Sequence, residues 1–102
     1  MAQWYRIAKT SEIAPGTARE LTAAGRIVAL FNVGGTFYAL DGICPHAGGP
    51  LGEGMLEGSV VTCPWHGWQF DVTTGRHVLN PYIAHATYPL EIKGEEIWVE
   101  LP

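Results

Sequence analysis

The chain has 102 residues, enough for one domain with a modest core. Apolar residues make up 47% and charged residues 16%, a globular balance rather than a disordered one. The formal charge is −4 and the basic residues are scattered singly, which argues against a nucleic-acid partner; the longest apolar runs are far short of the roughly twenty residues of a membrane span.

In chain order, residues 3–8 alternate as a first strand. Residues 17–24, TARELTAA, suit either a short helix capped by Thr17 and ended by Gly25 or a strand, and the neighbouring turns favour the strand. Ile27 to Phe31 is a continuous apolar run, as expected of a buried strand. Asn32-Val33-Gly34-Gly35 then turns the chain into a return strand over Thr36 to Leu40. Near the C-terminus, Tyr88, Leu90 and Ile92 share one face. Beyond Gly94, Ile97, Val99 and Leu101 do the same, so Lys93-Gly94-Glu95 is a hairpin turn. No segment carries a helical stripe. The expected class is all-β, a small antiparallel sandwich or barrel.

Residues 42–81 differ, being rich in glycine and proline and poor in apolar anchors of their own. Both cysteines and two of the four histidines lie here, as Cys44-Pro45-His46, a gap of sixteen residues, and Cys63-Pro64-Trp65-His66. Thiolate and imidazole at such spacing are metal ligands of the soft to borderline class. Three readings compete: a metal-free packing pair, a zinc site with two Cys and two His, and an iron–sulfur cluster with mixed ligation. A Cys44–Cys63 disulfide is possible in principle, but leaves both histidines without a role. His77 and His85 fit no ligand spacing and are expected at the surface or capping a turn.

The third reading meets a known family. The two ligand loops, extended to His66-Gly67-Trp68, strongly resemble the binding motif of Rieske proteins, and are close to that of the Rieske-type ferredoxins of bacterial ring-hydroxylating dioxygenase systems. The likeness continues through Leu40-Asp41-Gly42, Pro50-Leu51-Gly52-Glu53-Gly54, Phe70-Asp71, Thr74-Gly75 and Tyr88-Pro89-Leu90. It implies a Rieske-like β-sandwich, with a base of residues 1–41 and 82–102 and a cluster-binding subdomain of residues 42–81. It also implies one 2Fe–2S cluster, with Cys44 and Cys63 on one iron and His46 and His66 on the other. Pro45, Gly48, Gly49, Trp65, Gly67, Trp68 and Pro81 would surround it, with Asn80-Pro81-Tyr82 as a third, covering loop.

The mixed ligand set has an electrostatic consequence. Two ferric ions, two sulfides and two thiolates cancel, so the oxidised core is neutral; four thiolates would leave it negative. An electron enters a neutral core more easily, which raises the potential. The family's high-potential members add a disulfide between the two loops and a serine and a tyrosine hydroxyl near the cluster sulfurs. Gly49, Trp65, Trp68 and Phe70 stand at the corresponding positions here, so the expected potential is low in the Rieske range, about −150 mV.

By this resemblance the chain is a soluble, cytoplasmic, monomeric electron carrier rather than an enzyme. Its expected partners are a flavin- and NAD(P)H-dependent reductase and a terminal oxygenase. At this length it has no room for an oxygenase's catalytic domain. The alternative is the small Rieske-like subunit of a multi-subunit reductase, such as assimilatory nitrite reductase.

Overall fold

The computed structural model describes residues 2–43, 49–65, 67–80 and 82–102. Eleven strands are present among them: β1 (Gln3–Lys9), β2 (Ala18–Ala23), β3 (Arg26–Val33), β4 (Thr36–Asp41), β5 (Met55–Glu57), β6 (Val60–Thr62), β7 (Gln69–Asp71), β8 (Arg76–His77), β9 (Thr87–Tyr88), β10 (Leu90–Lys93) and β11 (Glu96–Leu101). They form three antiparallel sheets, in the orders β1-β11-β10, β2-β3-β4-β9 and β5-β6-β7-β8. The ambiguous TARELTAA segment is strand β2, paired along its whole length with β3.

In the β2-β3-β4-β9 sheet, β3 is buried on both faces from Val28 to Asn32, which explains its uninterrupted apolar run. Successive side chains of a strand point to opposite faces. Val28 and Leu30 join Ala8, Ile13, Ile97, Val99 and Leu101 in one core, against the β1-β11-β10 sheet. Ala29 and Phe31 join Leu51, Leu56, Val61, Cys63, Phe70 and Val72 in the other, against the β5–β8 sheet. Each large side chain so buried contributes about 1.5–3 kcal/mol. The segment carrying the ligand motif therefore has apolar anchors of its own, contrary to the expectation from its glycine and proline content.

The β3–β4 hairpin closes at Gly34-Gly35, both at positive φ. Only glycine adopts this conformation without strain, and it matches the twist of the paired strands. Behind it, buried Asn32 donates from Nδ2 to the Ile13 carbonyl (2.8 Å) and accepts from the Gly35 N–H (2.8 Å). At the other end, Tyr88-Pro89-Leu90 moves the chain from one sheet to another. Tyr88 pairs with Ala39 of β4 and Leu90 with Val99 of β11. Pro89, with no N–H to give a ladder, occupies the corner, and its carbonyl accepts from Glu100 N–H (3.0 Å). The expected apolar face of β10 is only partly realised. Leu90 packs against the core, but Ile92, near the open end of this edge strand, is exposed.

Candidate metal centre

Of the four expected ligands, the described residues include Cys63. Cys44, His46 and His66 lie outside them, as do Pro45, Gly48 and Pro81. Cys63 follows directly on β6, buried at the edge of the core shared by Phe31, Leu40 and Phe70. Its loop is pinched shut by two backbone hydrogen bonds, from Cys63 N–H to the Trp68 carbonyl (2.8 Å) and from Gly67 N–H to the Cys63 carbonyl (3.0 Å). The β6–β7 pairing thus continues into the motif and fixes the direction of the thiol.

The first motif loop is closed in the same way. Ile43 forms a bridge with Pro50, and Leu51 N–H donates to the Gly42 carbonyl (3.0 Å). Asp41 Oδ1 accepts from Ile43 N–H (3.0 Å) and sets the chain's entry into the loop.

These two closed loops meet at Gly49. A Cβ on Gly49 would lie 3.0 Å from Cys63 Sγ, 2.9 Å from Trp65 Cγ and 3.0 Å from Trp65 Cβ. Gly49 is therefore a glycine because of what it touches: any side chain would enter the space beside the thiol. The contact also bears on the missing disulfide. Two Cβ atoms joined by a disulfide lie about 3.5–4.5 Å apart. A Cβ on Gly49 would stand 3.0 Å from Trp65 Cβ, inside that spacing, so the two positions are close neighbours. A cleft of about 400 Å³, lined by Glu53, Met55, Thr62, Cys63, Pro64 and Gly67, opens beside the same loop. A buried thiol, an adjacent cradle kept clear by glycine and an open cleft fit a sulfur-ligated metal group. Among the described residues no three His, Cys, Asp or Glu side chains converge as a separate metal site.

The two motif tryptophans divide. Trp65 leaves 60% of its surface exposed, so it borders the site without sealing it. Trp68 is half-buried and packs on the core, with its ring centroid 6.4 Å from that of Phe70 and 4.7 Å from that of His77.

His77 and His85 are not surface residues, because both are buried. They flank Phe70, with ring centroids 5.4 and 5.5 Å from it. His85 Nε2 is hydrogen-bonded to the Asp41 carbonyl (2.5 Å), at the entrance to the first motif loop. The capping half of the expectation holds for His77, whose Nδ1 accepts from Leu79 and Asn80 N–H (both 3.1 Å). Its burial was recoverable from the sequence. A turn at Thr74-Gly75 puts Arg76 opposite Asp71 and His77 opposite Phe70, and cross-strand neighbours share a face.

Residues 3–90 match the family model of the Rieske [2Fe-2S] domain, and the chain belongs to that family. The ferredoxin component of the naphthalene 1,2-dioxygenase system of Pseudomonas aeruginosa is 35% identical over 100 residues, spanning 97% of this chain and 96% of that protein. A chain in a solved complex of reduced oxygenase and oxidized ferredoxin of carbazole 1,9a-dioxygenase is 35% identical, with a TM-score of 0.86 over 94% of this chain and 91% of that one. A nitrite reductase small subunit from Mycobacterium tuberculosis shares the fold, with a TM-score of 0.88 over 100% of this chain and 97% of that one, at 21% identity. Among the described residues no helix is long and apolar enough to cross a membrane.

Proposed function

We propose that this chain is a one-electron carrier whose Rieske 2Fe–2S cluster is held by Cys44 and Cys63 on one iron and His46 and His66 on the other. Residues 42–81 form the cluster-binding unit on a base of residues 1–41 and 82–102. The observation that carries the ligand assignment is the contact of Gly49, in the first loop, with Cys63 and Trp65 in the second. It brings together loops that are separate in sequence and supports their holding one group between them. When bound, the cluster supplies reversible one-electron exchange. The protein's own part is to pinch both loops shut, to bury the thiol of Cys63 and to keep the cradle free of side chains.

The carrier receives its electron from a flavin- and NAD(P)H-dependent reductase and gives it to a terminal oxygenase. Support for the second partner comes from the relatives, which are named as ferredoxin components and, in one case, seen with an oxygenase. Each encounter is brief and small, under about 1,200 Å², as for other redox pairs. Trp65 and Leu79 on the cluster-binding unit, and Tyr82 at its border with the base, are all largely exposed and supply apolar contact. We place the protein in the cytoplasm as a monomer. The other reading, a permanent subunit of a nitrite-type reductase, has the fold likeness in its favour, and size exclusion of the isolated protein separates the two. A well-behaved monomer supports the shuttle.

The ligand assignment is tested by His66→Cys. A third thiolate adds negative charge to the core, so the midpoint potential falls toward the about −400 mV of all-thiolate clusters, and the mixed-ligand spectrum is lost. An unchanged spectrum removes His66 from the ligand set.

A further inference from the structure

The described residues on either side of Pro81, 78–80 and 82–83, are tied down by backbone bonds. His77 N–H donates to the Ile83 carbonyl (2.9 Å), Ile83 N–H to the Asn80 carbonyl (3.0 Å) and Val78 N–H to the Gln69 carbonyl (2.9 Å). Among the described residues Leu79 and Asn80 have a further anchor, the Nδ1 atom of His77, which accepts from both of their N–H groups. Asn80 in turn accepts from Tyr82 N–H at Oδ1 (3.2 Å), so the hold passes along the loop. Because Nδ1 accepts twice, the ring proton sits on Nε2. The imidazole itself is wedged edge-on against Trp68 and Phe70 and is buried. With Gly67, Trp68, Gln69 and Leu79, it lines a cleft of about 120 Å³ between the loop and the Cys63 hairpin.

We infer that His77 is the positioning residue of the 78–82 loop, holding it against the hairpin that carries Cys63 and so limiting water at the cluster. The limit on water rests on the cluster reading above; the hold on the loop does not. A buried histidine that merely filled space would need its shape, not its Nδ1 lone pair. The distinguishing pair of variants is therefore His77→Asn and His77→Gln. Asparagine puts its carbonyl oxygen where Nδ1 stands, whereas glutamine carries its polar atoms one bond farther out.

Hydrogen exchange read by mass spectrometry on peptides covering residues 78–82 reports the hold directly, with strands β2–β4 as an internal check of folding. His77→Gln should lose protection in this loop by about tenfold, and His77→Asn should retain it. Midpoint potentials report the consequence. Added water stabilises the more negative reduced core, so the potential should rise in His77→Gln and return in His77→Asn. Wild-type protection in His77→Gln overturns the inference, as does equal loss in both variants or a potential unmoved despite lost protection. Absence of a Rieske EPR signal from the wild type would sink the cluster reading instead, and the exchange data would still decide the role of His77.

Discussion

At Gly49 a single hydrogen in place of a methyl group keeps two loops in contact. Alanine there would press on Cys63 Sγ and on the Cβ and Cγ of Trp65, all at 3.0 Å or less. Overpacking of this kind costs about 1–3 kcal/mol, and here the cost falls on the loaded site. Gly49→Ala should fold but bind clearly less iron per chain than the wild type, with altered visible circular dichroism. Full iron content and an unchanged spectrum would show that the cradle has slack. The importance of this glycine was legible only in part. Motif spacing and family likeness point to the loop. Which neighbour forbids a side chain depends on how two segments fourteen or more residues apart meet, which no local pattern records. His85 shows the same limit, since its burial beside Phe70 and its bond to the Asp41 carbonyl join segments far apart in sequence.

At the level of elements, the long hairpins were legible because a continuous apolar run (Ile27 to Phe31) or period-2 alternation extends over five or more residues and their turns carry glycine. The three-residue strands β5, β6 and β7 were not, being shorter than one clear period, so the second core they build went unseen. That core changes what metal removal should do. With Leu56, Val61, Phe70 and Val72 buried, the β5–β8 sheet should keep its exchange protection in the apo-protein, and the loss should concentrate in the two ligand loops. Uniform loss across residues 55–77 would show that the cluster, not the core, holds the sheet. The β7–β8 turn is a second point of strain. Gly75 adopts φ +79, and a Cβ there would lie 2.5 Å from the His85 carbonyl oxygen. Gly75→Ala should therefore cost at least about 1–3 kcal/mol, read as a lower melting temperature of the loaded protein. A melting temperature equal to that of the wild type would contradict the tight packing of this turn on the 85–87 segment.

For the whole molecule, three sheets share two cores, and the described parts of the two ligand loops meet where Gly49 packs on Cys63 and Trp65. The base of each loop is closed by backbone pairing, at Ile43–Pro50 and at Cys63–Trp68, which suits a centre that must change charge with little rearrangement. A net charge of −4 favours basic partner surfaces and fast, salt-sensitive encounters. A low potential is expected from what the side chains near the site do not supply. Phe70 is buried and carries no hydroxyl, and Gly49 faces Trp65 where a disulfide could have stood. The most direct test of this account is a redox titration of the purified protein followed by EPR. It should take up about one electron per chain at about −150 mV and give the spectrum of a Rieske 2Fe–2S centre on reduction. A colourless, EPR-silent protein, or a midpoint above zero, would contradict it.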